Sequence, residues 1–379
     1  MFIILSLFVI SLFFVFAIER TKNTVNKNRL IFAYAWFIFC LLYLSFISGT
    51  RLIGGLDFPT YEGHYNSVPT FPIVLDSSTW NQNYEIGYTY ICAFFRTLGI
   101  SFYGFCLLHA VFFYFCLWKG LSRYTKHFGI VILVFLYKLC FYNTFISMRQ
   151  SLTVAMFFLI VPYIVEKKWI KYYICVFFIS KIHNGALLLY LLYPITYLKL
   201  TKKRIFWLNI IFLPTIFIGL TGIDVLGQIG GVLQENASNG AMEGKIDKYF
   251  GNENLSPIGI FHTLEYFLIM FVLYKNIKLF DLENKTTKIV IWLFLCLLPL
   301  FTLLRGSEVL TREKDYFTIF YAVILGVLID RVSKGRSLIW LAVVSICAFG
   351  YYRYVILFDG GHFLTYHSWL FDPFYTFFQ

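Results

Sequence analysis

The chain has 379 residues, of which 59% are apolar and 14% charged, against about 45–50% and about 25% in an average soluble domain. This excludes an ordinary water-soluble globule, because apolar runs of about 20 residues, enough to cross a roughly 30 Å hydrocarbon layer, recur along the sequence. The net charge of +12 does not point to nucleic acid, since the basic residues sit in short clusters between apolar runs, where they read as topology signals.

The first segment, Met1–Ile18, has the length of a signal peptide but no basic residue before it and no small-residue cleavage site after it, so it is expected to remain as a helix. Further spans are expected at about 30–48, 101–118, 128–146, 150–165, 205–221, 258–274, 289–304, 316–330 and 338–352, all helical because a helix satisfies its own backbone hydrogen bonds in lipid. Basic clusters at Arg20–Arg29, Lys119–Lys126, Lys167–Lys171, Lys199–Arg204, Lys275–Lys288 and Arg331–Arg336 are assigned to the cytoplasmic side, which turns both termini outward. The expected fold is therefore all-α: one polytopic membrane domain over 1–379 with about a dozen transmembrane or partial helices. Its outer loops fall at about 48–84, 222–257 and 305–315, and an outward tail covers 353–379. The eight cysteines lie in apolar stretches without metal-ligand spacing and read as buried apolar residues; neither a metal nor a cofactor is expected.

The first outer loop carries Arg51, Asp57 and Tyr61, followed by Glu85-Ile86-Gly87-Tyr88. An arginine fork suits a phosphate, and carboxylates and tyrosines suit sugar hydroxyls. Equally, Arg51 could snorkel to lipid phosphates and Asp57 could cap a turn. The stretch Glu85–Leu98, interrupted by Gly87 and Arg96, reads as a helix lying at the outer interface.

Arg149-Gln150 opens the next span with almost no loop before it, which puts a guanidinium at the outer end of the bundle, where a buried arginine needs a partner. Tyr172–Leu198 has basic clusters at both ends but is too short for two full spans, so it reads as a hairpin with short helical arms. Its tip, Lys181–Gly185, would place His183 deep but open to the outer side, either as a proton acceptor or as a satisfied packing residue. The segment 222–257 is rich in Gly, Asn and acidic residues and could cover a site. The last outer turn carries Arg312 and Tyr316 within a charge run whose ordinary reading is a solvated face; Arg312 could also join Arg51 and Arg149 around an anion.

Taken together, Arg51…Asp57…Tyr61, Glu85-x-Gly87-Tyr88, Arg149-Gln150, His183 with Gly185 and Ala186, and Arg312…Tyr316 resemble the EpsG-like branch of the Wzy polysaccharide polymerases over most of Thr50–Tyr316. Ile86 departs from the pattern, since such sequences often have proline there. The resemblance implies a glycosyl transfer that joins undecaprenyl-pyrophosphate-linked oligosaccharide repeat units, such as those of O-antigen, at the periplasmic face of a bacterial inner membrane. It assigns pyrophosphate binding to Arg51, Arg149 and Arg312, proton transfer to His183, Asp57 or Glu85, and substrate contacts to Tyr61, Tyr88, Gln150 and Tyr316, with membrane lipid and a chain-length regulator protein as partners. Three other functions remain open on the sequence: a lipid-linked oligosaccharide flippase, a glycosyltransferase using a polyprenyl-phosphate sugar, and a ligase. The small number of deep polar residues and the concentration of charge at the outer edge favour an enzyme over a flippase.

Overall fold

The computed structural model describes residues 27–52, 54–55, 57–80, 83–140, 142–195, 197–214, 257–302, 312–331 and 366–378, with a few isolated positions besides. Apart from such isolated positions, the spans expected at 2–18 and 338–352, residues 215–221 of the span at 205–221, the loop at 222–257 up to 256, the junction 303–311 of the span at 289–304 with the loop at 305–315, and residues 353–365 of the tail lie outside the described residues. The described chain is helical and forms two compact units, Met1–Leu191 with Ser333–Gln379, and Leu192–Val332.

The first unit contains α1 (Lys27–Gly49), α2 (Phe58–Ser67), α3 (Ile86–Thr97), α4 (Phe102–Leu121), α5 (Phe128–Lys138), α6 (Met148–Val165) and α7 (Trp169–Ile182). Among the described residues, three helices are long and apolar enough to cross a membrane: Leu30–Gly49 within α1, together with α4 and α6. The expected count of about a dozen transmembrane or partial helices is not confirmed among the described residues. These three and α7 pack in chain order as neighbours, α1 on α4, α4 on α6 and α6 on α7. Without a hydrophobic drive between helices in lipid, close backbone approach matters, and Gly120 provides it: a Cβ there would lie 2.7 Å from Phe158 Cβ. Large apolar side chains such as Phe32 and Leu42 on α1 and Phe178 on α7 stay exposed, as expected of surfaces solvated by acyl chains.

The continuous span expected at 128–146 is a correction. Helix α5 stops at Lys138, and a wide turn of π form follows at Tyr142–Ile146. The Thr144 hydroxyl donates to the Cys140 carbonyl, which a regular helix would leave to the Thr144 N–H, while the Asn143 side chain, at 3.3 Å, joins its own backbone N–H, at 2.9 Å, on the Leu139 carbonyl. The hairpin also differs in detail. The chain reverses at His183, whose backbone is extended (φ −153°), and Gly185 is not among the residues with positive φ. The returning arm, Asn184–Leu191, is a 3-10 helix that folds back along α7, where the Tyr172 hydroxyl donates to the Leu189 carbonyl at 2.7 Å.

The second unit contains α8 (Leu192–Ile195), α9 (Lys202–Phe212), α10 (Pro257–Asn276), α11 (Lys285–Leu295), α12 (Leu297–Thr302) and α13 (Asp315–Arg331). The side chains of Thr201 and Asn284 cap α9 and α11. The span expected at 289–304 is split at Cys296, because Pro299 lacks an N–H and its ring conflicts with the Leu295 carbonyl. Helices α10 and α13 are joined at a buried Glu265, which accepts a hydrogen bond from Tyr321.

Candidate active site

Three separate elements of the first unit meet at one carboxylate. Glu85 is the residue before the first turn of α3, yet its side chain does not cap that helix. It turns instead to Arg149 on α6 and to the reversal after α7. One oxygen pairs with the Arg149 guanidinium, and the other accepts the Asn184 backbone N–H at 3.1 Å with His183 Nδ1 at 3.5 Å. Helix dipoles favour this arrangement. Arg149 is the second residue of α6, at the positive end of the dipole, where a cation is disfavoured unless a carboxylate meets it. His183 follows the last turn of α7, at the negative end of that helix.

Gly87 allows the approach. A Cβ at this position would fall 2.6 Å from the Lys181 carbonyl oxygen and 2.8 Å from its carbon, so any side chain would push α3 away from the end of α7. The spacing Glu85-x-Gly87 therefore couples the acid to the close contact that delivers it to His183.

Aromatic rings surround the cation. The Arg149 guanidinium lies 4.6 Å from the centre of the Tyr84 ring and 5.9 Å from that of Tyr61, with its N–H groups in hydrogen-bond reach of the Tyr61 hydroxyl. Tyr88 packs edge-on to Tyr61 at 6.0 Å, and His64 lies against Tyr84 at 4.0 Å. Burial pushes the Glu85 carboxyl up, but the hydrogen bond from His183, the charge of Arg149 and the Asn184 N–H outweigh it and bring it from 4.5 to about 2. Burial, with the charge of Arg149, holds His64 down to about 4, so this ring is neutral at neutral pH.

Asp57, Tyr61, Glu85, Tyr88, Arg149 and His183 thus belong to one neighbourhood. Asp57 stands before α2 and acts electrostatically on Tyr84. Gln150 is buried and points about 100° round α6 from Arg149. Arg51 is 2% exposed: it donates to the Ser48 carbonyl at the end of α1, and its guanidinium lies 5.1 Å from the Phe58 ring and 5.5 Å from that of Phe145. Phe58 and Tyr61 are one turn apart on α2, so Arg51 and Arg149 stack against successive turns of the same helix. Arg312 and Tyr316 belong to the second unit, at the start of α13. Tyr84 and His64 are not among the site residues expected from the sequence. The available signal was the position of Tyr84 directly before Glu85 and of His64 one turn after Tyr61.

No curated protein and no solved structure matches the chain. The family model described as the EpsG family matches residues 34–368, nearly the whole chain. The chain belongs to the EpsG family, a family of Wzy-like polysaccharide polymerases.

Proposed function

We propose that the protein polymerises undecaprenyl-pyrophosphate-linked oligosaccharide repeat units by glycosyl transfer at the periplasmic face of a bacterial inner membrane. The observation that carries this reading is the single carboxylate of Glu85 held between Arg149 and His183. In the reaction, a hydroxyl of the acceptor's terminal sugar attacks the anomeric carbon of the donor glycan. The bond from that carbon to the pyrophosphate oxygen breaks, and undecaprenyl pyrophosphate leaves.

Each group has a distinct task. An acid held at about 2 is a poor proton acceptor at neutral pH, so Glu85 orients rather than abstracts. With Nδ1 turned to Glu85, His183 presents Nε2 to the acceptor hydroxyl and takes its proton. Arg149, whose buried Nε has no hydrogen-bond partner, meets the charge that develops on the pyrophosphate. Arg51, stacked on the next turn of α2, adds positive potential behind it. Asp57 and Tyr61 hold sugar hydroxyls, and the fully buried Tyr88 supports Tyr61 from behind. Tails of the two lipid-linked substrates reach the site sideways through the membrane.

The test is deletion of the gene in its native strain, separation of the surface glycan by size on a gel, and complementation with wild type, Arg149→Ala or His183→Ala. The expected result is a ladder that collapses to a single repeat on deletion and returns with wild type but with neither variant at normal expression. An unchanged ladder on deletion would overturn the reading, and loss of even the single capped repeat would point to flipping, ligation or earlier synthesis.

A further inference from the structure

The segment Tyr366–Phe378 is fastened across the first unit at both ends. At one end it caps α1, whose last carbonyls have no partner within the helix. The Tyr366 hydroxyl donates to the Ile47 carbonyl at 3.0 Å, Trp369 Nε1 to that of Gly49 at 3.1 Å, and the Trp369 N–H to that of Thr50 at 3.0 Å. In return, the Leu52 N–H donates to the His367 carbonyl at 2.8 Å. At the other end, the Ser101 N–H donates to the Phe377 carbonyl at 2.9 Å, Phe378 bridges to Ile100, and Tyr375 packs edge-on against Tyr103 at 4.6 Å.

This strap is well fixed, yet it turns aromatic rings outward. Trp369 is 3% exposed, whereas Phe371 is 86% and Phe374 89% exposed. The direction of Phe374 is set locally, because its N–H donates to the Asp372 carboxylate at 3.0 Å. Apolar side chains held rigidly in the open mark an interaction surface.

The level of the strap identifies what covers it. It pairs with the end of one membrane-spanning helix, at Gly49, and with the start of another, at Ser101–Phe102, so it lies where the spans pass out of the apolar layer. Aromatic residues are favoured at that boundary. The apolar surface is also continuous with α3: Phe94 and Leu98 are exposed just before Ile100, the residue that bridges Phe378. Residues 366–378 contain no lysine or arginine, so attraction to anionic headgroups is not what they offer.

We propose that Tyr366–Phe378 is an in-plane membrane anchor whose Phe371, Phe374 and Phe378 insert into the bilayer surface at the end of the spans where the Glu85 site lies. Lipid then holds the cap on α1, and with it the loop that leads from Arg51 to α2. The inference stands whether or not the polymerase reading does.

Phe371→Cys and Phe374→Cys, each carrying a nitroxide label, would be reconstituted in phosphatidylcholine–phosphatidylglycerol vesicles, with the unsubstituted protein taken through labelling to subtract native cysteines. Collision of the label with oxygen, which partitions into lipid, is compared with collision with a water-soluble nickel chelate. Leu42→Cys on the exposed face of α1 serves as the lipid reference and Ser78→Cys on an exposed turn as the water reference. Both strap labels are expected to match the Leu42 pattern, with oxygen collisions raised and nickel collisions suppressed. Nickel collisions like those at Ser78 would overturn the proposal, as would shielding from both agents, which would mean that a second copy or another protein covers the strap.

Discussion

Replacing Glu85 with Gln preserves size and one carbonyl acceptor while removing the charge that joins Arg149 to His183, so it isolates the electrostatic part of the site. In the folded protein the carboxyl is brought from 4.5 to about 2 despite burial, by His183, Arg149 and the Asn184 N–H. At about 1.4 kcal/mol for each tenfold change in proton affinity, that shift corresponds to about 3 kcal/mol of stability at neutral pH. Because the group is more acidic folded than unfolded, this stability is present above about pH 4.5 and is lost as the pH falls toward about 2. The expected result for Glu85→Gln is a melting temperature lowered by roughly 3–6 °C at pH 7, with the gap to wild type closing as the pH falls from about 4.5, where the unfolded carboxyl takes up its proton, toward about 2, where the folded one does. Thermal unfolding of purified protein in lipid nanodiscs, followed by intrinsic fluorescence from pH 7 down to the lowest pH at which the sample stays soluble, measures it. An unchanged melting temperature at pH 7, or a gap that persists unchanged below pH 4, would refute the assignment of Glu85 as the charged link.

Gly87→Ala should lower stability by about 1–3 kcal/mol and weaken polymer formation, since the new methyl meets the Lys181 backbone rather than a movable side chain; thermal unfolding and the glycan ladder read the two effects. Arg149→Lys keeps the charge but loses the planar fork that spans Glu85 and the tyrosines, and should cut the polymerisation rate by about 10²-fold or more in a reconstituted assay while leaving the fold intact. In the second unit, burial and then the charge of Asp315 raise Glu313 to about 8 against the charge of Arg312, so the folded state favours its proton. Stability from this group is complete below about pH 4.5 and declines as pH rises toward 8, and Glu313→Gln should flatten that decline in a melting-temperature profile from pH 5 to 9.

The amino-acid sequence by itself determined that the chain is a helical membrane protein, because apolar run length and clustered basic residues are local properties that need no partner to be read. It also marked the residues that meet at Glu85. Glu85-x-Gly87, Arg149 at a helix start and His183 at a chain reversal each carry a local oddity: an acid beside a glycine, a cation at the wrong end of a dipole, a histidine in an arm too short to span. What joins them is not local. Glu85 is 64 residues from Arg149 and 99 from Asn184, and nothing in either segment specifies the other until α3 packs on α7 and α7 on α6. The break after Lys138 likewise lies inside an apolar run, where the Thr144 hydroxyl takes the Cys140 carbonyl, a local detail that hydropathy averages away. Only the tertiary structure showed that Arg51 is buried at the end of α1 and that Trp369, 320 residues beyond Gly49, closes the same helix, because unpaired carbonyls accept whichever donor the fold brings to them.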